Sequence, residues 1–301
     1  MAALIGVLYY VDIKLCQFVE FWFVSLQRFF IGAFFGLAQM VLTSTLIIDT
    51  CESYQRTEAN HSASWFSRFA LSLGPLAGLL LQKLAGFEFV LIAAGGVVVL
   101  AAVLILLVSF PFRIPEDNIP TVSLDRFFLP HGFPLFANLQ LVTLAMGLLL
   151  SLSLSELFFA MMMVGFLLAL VAQRFMFRDA EVKSEVVTGL ILMGAALWMM
   201  LTRTQQIVWY AAPVFIGFGL GIIGSRFLLF FIKLSRHCQR GTSQSTFLLG
   251  WESGIAWGLG FGLMFFHGYR HLTLLMSLLL VVVALLLYHF THNWFVKNKN
   301  R

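Results

Sequence analysis

Charge is what this sequence has least of. Asp, Glu, Lys and Arg together make up only 11% of its 301 residues, against roughly a quarter in ordinary soluble domains. That shortage excludes a water-soluble chain, which needs a polar shell around its core. Cysteine is as scarce: Cys16, Cys51 and Cys238 stand far apart with no C-x-x-C pair, which excludes a disulfide framework and a cysteine-based metal site. Of the seven prolines, five fall in one stretch, Phe110 to Pro134, so the rest of the chain is free to form long helices. There is no H-E-x-x-H, no G-x-S-x-G, no phosphate-binding glycine loop and no pair of carboxylates at catalytic spacing. Neither an intramembrane enzyme nor an ATP-driven pump is expected.

What is there is apolar residue, 60% of the chain. It is gathered into ten stretches: Ala2 to Val11, Phe18 to Ile48, Ala63 to Leu84, Phe87 to Phe112, Pro134 to Leu154, Leu157 to Phe177, Val186 to Leu201, Ile207 to Phe231, Phe247 to Phe266 and Leu272 to Phe290. A span of the bilayer needs about 20 apolar residues, and several of these reach that length. Apolarity is continuous rather than alternating, which makes the spans helices and not barrel strands. The expected class is an all-α integral membrane protein. The first stretch is short, rising only about 16 Å as a helix, and lacks the basic start and cleavage site of a secretory signal. It reads either as a half-span or as the tail of a helix whose beginning precedes Met1.

Lysine and arginine stay on the cytoplasmic side of short loops. With the carboxyl end cytoplasmic, thirteen of them collect on that side, from Arg56 to Arg301, against four on the other: Lys14, Lys83, Arg203 and Arg270. Ten crossings then put both termini in the cytoplasm, in the inner (cytoplasmic) membrane. Juxtamembrane basic residues facing anionic lipid account for the net charge of +5, and no nucleic-acid partner is needed. His267 and His271 bracket a Gly-Tyr-Arg turn without an acidic neighbour, so they read as interfacial, as do His289 and His292 beside Trp294; no metal and no cofactor is expected. The proline-rich, charged stretch separates four apolar segments from six. The expected organisation is an N-terminal helical bundle over 1–112, a cytoplasmic linker over 113–133 and a C-terminal six-helix bundle over 134–301.

The two sides repeat. "FIGAFFG" at Phe30 to Gly36 returns as "FIGFGLG" at Phe215 to Gly221, and about 184 residues separate Gln55-Arg56 from Gln239-Arg240 and Gly74 and Gly78 from Gly258 and Gly262. Internal repeats of this kind are common in transporters. If the second half has six helices, the first four segments correspond to its last four, and two helices are missing from the front.

On these residues the chain resembles a major facilitator superfamily transporter from its third helix onward, over essentially its whole length. "RFFIGAFFG", with Arg28, Gly32 and Gly36, is similar to the family's fourth-helix pattern. "ALSLGPLAGL" resembles the fifth-helix antiporter motif G-x-x-x-G-P-x-x-G-G: Gly74, Pro75 and Gly78 match, while Ala70 and Leu79 stand where glycines are usual. "RGTSQSTFLLGWESGIAWG", Arg240 to Gly258, and "VSLDRFFLPHGFP", Val122 to Pro134, look like stretches of bacterial drug or sugar exporters. The resemblance implies a two-bundle fold of about ten helices, lacking the first two of the usual twelve. It implies secondary active transport of a small-molecule solute across the bilayer, by proton-coupled efflux or with another gradient ion. The alternative is a truncated remnant without transport activity of its own. The family's charged gating loop survives only as a remnant at Arg174, Arg178 and Asp179 in "AQRFMFRDAEVK". Oligomeric state and substrate identity are not legible.

Ionisable groups at bilayer depth are costly and mark partners or wet cavities. Arg28, Arg68, Arg226 and Glu252 fall inside apolar segments. Arg28 is a candidate to orient an anionic solute or pair with a carboxylate, against snorkelling to the interface. Arg226, about two turns from Lys233, is expected to snorkel. Glu252, bracketed by apolar and small residues, is the candidate proton carrier, with Arg68 at the equivalent position of the other half. Trp65, Trp251 and Trp257 are candidates to line a cavity through their ring faces, and Asn138 and Gln140 to hydrogen-bond a solute.

Overall fold

Residues 21–52, 55–108, 127–177, 181–236 and 239–299 are described by a computed structural model. Among them are nine long helices and no strand. The helices are α1 (Phe21–Met40), α2 (Arg56–Ala85), α3 (Phe87–Leu106), α4 (Phe133–Leu150), α5 (Glu156–Phe175), α6 (Val182–Thr202), α7 (Gln206–Leu234), α8 (Arg240–Phe265) and α9 (Arg270–Asn298). Beyond Met40, α1 widens into a π turn, Val41–Leu46, and ends in a last helical turn, Ile47–Thr50. Nine of the ten apolar segments coincide with these helices. The first, Ala2 to Val11, lies outside the described residues, as do 109–126 of the proline-rich stretch and the Arg178 and Asp179 of the gating remnant. Seven of the spans are long and apolar enough to cross a bilayer, and the chain is a multi-pass membrane protein.

The 184-residue spacing reappears in the helix starts. Arg56 and Phe87 open α2 and α3, and Arg240 and Arg270 open α8 and α9, each pair within one residue of that spacing. The turns that close α2 and α8 also match: each holds a glycine in the left-handed region, Gly86 at φ 89° and Gly268 at φ 83°. A side chain there would strain the turn.

Two compact units divide the chain, Met1–Arg56 with Ala77–Ile119 and Thr57–Leu76 with Pro120–Arg301. In the first unit α3 is apolar all round, and Val97, Val103 and Leu106 are exposed, as suits a helix solvated by lipid. In the second, α4 packs on α8 and α9, α7 on α5 and α6, and α9 on α6. Small residues allow these approaches. A Cβ at Gly258 of α8 would overlap the Leu144 carbonyl oxygen of α4, and one at Gly217 of α7 would overlap the Met162 carbonyl oxygen of α5. Gly250, Gly254, Gly258 and Gly262, four apart, line one face of α8, and packing through such glycines is how membrane helices associate without a hydrophobic driving force. Leu135, Met146, Met162, Phe166, Phe227 and Tyr288 fill the interior. Hydrogen bonds tie the helices where polar groups are buried: Asn138 Nδ2 donates to the Ala284 carbonyl at 3.0 Å, Thr143 Oγ1 to that of Gly250 at 3.1 Å.

α8 is outside the seven apolar spans. Its opening, "RGTSQST", is polar, yet Thr242, Ser243, Gln244, Ser245 and Thr246 are all buried. Their hydroxyls are used locally and across the fold: Thr246 Oγ1 donates to the Thr242 carbonyl at 2.8 Å and accepts from the Leu129 backbone N–H at 2.8 Å.

Candidate functional site

The stretch of α2 that belongs to the second unit carries Trp65, Arg68 and Ser72 at i, i+3 and i+7, one face of a helix. All three are buried, Arg68 to 2% exposure. Arg68 lies five residues into the apolar run that begins at Ala63, about 7.5 Å along the helix from its start. Ser72 Oγ donates to the Phe159 carbonyl of α5 and holds this stretch of α2 against the second unit.

Aromatic rings surround the guanidinium. Arg68 Cζ lies 4.8 Å from the Trp65 ring centroid and 6.0 Å from that of Trp251 on α8; Trp251 is itself only 3% exposed. The space for this stack comes from α7. A Cβ at Gly224 would come within 2.7 Å of Arg68 Nε and 2.8 Å of Trp251 Cζ3, and one at Gly221 within 3.3 Å of Trp65 Cη2. Arg68 Nη1 and Nη2 and Trp65 Nε1, all hydrogen-bond donors, have no partner among the described residues. Ring contacts stabilise a desolvated cation by about 2 kcal/mol, less than the several kcal/mol that a buried ion costs. The site is short of negative charge.

A second, partly buried cation is treated in the opposite way. Arg226 on α7 does not snorkel as expected: its Nε and Nη2 each lie 2.6 Å from Oε2 of Glu185 on α6. Glu185 stands one residue before the apolar segment that begins at Val186; the structure buries it, and its carboxylate engages the arginine. Ser225, next to Gly224, accepts a hydrogen bond from Gln173 Nε2 of α5.

The sequence candidates are dispersed. Arg68 and Trp251 meet, and Trp65 joins them. Glu252 and Trp257 are exposed on α8, Trp257 to 59%. Gln140 and Ser253 Oγ are 3.1 Å apart between α4 and α8, while Asn138 is taken up by α9. Gly74 and Pro75 sit inside α2, which runs through them as helix; Gly78 follows one turn later, in the stretch assigned to the first unit. Arg28 is exposed on α1 of the first unit. The signals missed in the sequence are Glu185 and the glycines Gly221 and Gly224. Gly221 closes the repeated "FIGFGLG" and Gly224 follows three residues on; they were legible as close-packing positions, though not as the wall of an arginine slot.

Two cavities open in the second unit. One of about 400 Å³ lies among Ser151, Ser153, Trp209, His267 and Arg270, with Arg270 Cζ 4.4 Å over the Trp209 ring. The other, about 330 Å³, lies among Glu181, Lys183, Lys233, His292 and Lys299. Both sit at helix ends, and neither is lined by Arg68.

No protein-family model matches the chain, and no curated protein matches it in sequence. A solved structure does. The crystal structure of a bacterial homologue of the human lysosomal transporter Spinster, inward-facing and unoccupied, aligns with a TM-score of 0.58 over 100% of this chain and 84% of that one, at 14% identity. The chain shares the fold of that structure. At that identity the likeness is one of helix arrangement alone.

Proposed function

We infer that the chain is a secondary active transporter of small solutes, with Arg68, Trp65 and Trp251 in its solute path. The observation that carries this reading is a buried arginine in an apolar segment, left without a hydrogen-bond acceptor among the described residues, on a major-facilitator-like fold. Intramembrane charges of this kind mark substrate and ion pathways. In this reading α1 to α3 stand for the family's fourth to sixth helices and α4 to α9 for its seventh to twelfth. The two bundles are those of 1–112 and 134–301, joined through the cytoplasmic linker 113–133, and both termini face the cytoplasm of the inner membrane. The resemblance of "RGTSQSTFLLGWESGIAWG" to drug or sugar exporters and of Gly74, Pro75 and Gly78 to the antiporter motif supports efflux in exchange for protons. Glu252, exposed on the helix that carries Trp251, is the proton carrier in this scheme. Arg28, Asn138, Gln140 and Trp257 are secondary candidates for the solute path.

The test is uptake and efflux by the purified chain in proteoliposomes, with anionic, neutral and cationic fluorescent solutes under an imposed pH gradient. Gradient-dependent flux that a protonophore abolishes, and that Glu252→Gln uncouples while solute exchange persists, is the expected result. Flux of some solute that ignores the pH gradient would remove the proton-coupling half of the reading. No flux of any solute class would remove the reading itself.

A further inference from the structure

We propose that Arg68 is an anion-recognition point, and that the solute it takes is an organic anion with a flat apolar body: the carboxylate, sulfonate or phosphate docks on the guanidinium edge and the body lies along Trp65 and Trp251. This rests on the transporter reading for its biological setting, but the binding chemistry stands on the site alone.

Two arginines inside apolar segments of the second unit meet opposite surroundings. Arg226 meets a buried carboxylate at 2.6 Å. Arg68, more deeply buried, meets rings instead, and its Nη1 and Nη2 are unpartnered among the described residues. Rings supply no acceptor to the fork of N–H donors on a guanidinium, which a planar or tetrahedral anion can take in bidentate geometry. Trp65 Nε1, one turn away on the same face of α2, adds a further unpartnered donor. Three donors and no acceptor is a set that an anion completes and a cation does not.

The surrounding backbone offers no substitute. Gly221 and Gly224 bring α7 close to the stack, but helix-interior carbonyls such as these are already used by the N–H groups four residues on. Glycine at 224 also keeps Nε free of contact, since a Cβ there would stand 2.7 Å from it. Aromatic faces on two helices, α2 and α8, then favour a flat body over a branched one. The slot is closed around the side chain in this conformation, at 2% exposure. Ligand entry therefore requires separation of Trp65 from Trp251, which lie on different helices and are close to Arg68 from two directions.

The experiment is binding to the purified full chain in nanodiscs of neutral lipid, read as the shift in thermal midpoint and as tryptophan fluorescence. The probes are 2-naphthoate and 1-naphthyl phosphate, with 1-naphthylmethanol and 1-naphthylmethylammonium as neutral and cationic counterparts. Inorganic phosphate and phosphatidylglycerol complete the set. The expected result is saturable stabilisation by the two aromatic anions alone, weakened about tenfold or more by Arg68→Lys and by Gly224→Ala, and absent in Arg68→Gln. If Arg68→Gln does not fold, Arg68→Lys and Gly224→Ala decide the matter. Equal stabilisation by the neutral or cationic probe, or anion binding unchanged in both of those variants, overturns the proposal. So does an Arg68-dependent shift produced by inorganic phosphate or phosphatidylglycerol without the aromatic anions, which would make the site one for a free ion or a lipid headgroup. Binding that persists in a chain showing no flux would refute the transporter reading and leave this site standing; flux of cations with no anion binding would do the reverse.

Discussion

Removing the carboxylate of Glu185 should expose how much of the second unit rests on one ion pair. Glu185 Oε2 accepts from both Nε and Nη2 of Arg226 at 2.6 Å, and the glutamate side chain is 1% exposed against 20% for the arginine. Breaking a buried pair by deleting one partner costs about 3–5 kcal/mol, because the remaining charge is left uncompensated. Arg226 is one-fifth exposed and recovers part of that through solvent or headgroups, so the expected cost for Glu185→Gln is about 2–3 kcal/mol. For a unit of roughly 200 residues each kcal/mol moves the thermal midpoint by about 2–4 °C, which gives a drop of about 4–12 °C. The double replacement Glu185→Leu with Arg226→Met removes both charges and should return to within about 1 kcal/mol of the parent, since apolar pairs of similar volume commonly replace buried ions without loss. Thermal unfolding of the parent, Glu185→Leu, Arg226→Met and the double variant in one detergent forms a double-mutant cycle. A single variant within 1 °C of the parent, or a double variant less stable than either single one, would refute the reasoning.

Two further outcomes follow from the geometry. Gly258→Ala should lower the thermal midpoint by an amount corresponding to about 1–3 kcal/mol, because its Cβ would collide with the Leu144 carbonyl oxygen; Gly260→Ala, two residues on with nothing within 4 Å, should leave the midpoint unchanged or raise it slightly. A reporter inserted near Asn118 or fused after Arg301 should read cytoplasm and one inserted near Arg270 the opposite side, and a periplasmic signal from the Asn118 insertion would refute the orientation argued from lysine and arginine.

The helices were legible because apolarity reports the membrane slab directly. Their ends were not. Apolar runs begin at Ala63 and Phe247, but α2 begins at Arg56 and α8 at Arg240, since a backbone hydrogen-bond ladder does not stop where the hydrocarbon does. The repeat was legible for the same reason as the helices: it is carried by glycines and by Gln-Arg pairs that set helix starts. Side-chain roles were harder. Trp251 and Trp257 are six residues apart on one helix, and only the position of α2 and α7 decides that the first is buried and the second exposed. Arg68 and Arg226 look alike in sequence, each an arginine in an apolar segment; what separates them is a glutamate on a different helix, at a segment edge where burial is not readable. Asn138, a candidate for solute binding, spends its amide nitrogen on the Ala284 carbonyl, a tie no sequence period announces.

The polar opening of α8 has a consequence for how the chain is made. Thr242 to Thr246 are buried in the finished bundle, but a translocon testing α8 alone meets them before any of that burial exists. Alone α8 falls outside the helices apolar enough to span, so we expect it to depend on company: α4, already synthesised, supplies the face that Gly258 and Gly254 fit, and α9, which is long and apolar enough to span, follows through the tight turn at Gly268. The two then enter as a hairpin, with α9 as the segment the translocon recognises. A nascent chain ended just after Gly268 should leave α8 extractable by alkaline carbonate, and one carried through Asn298 should not; equal retention of the two would mean that α8 inserts unaided.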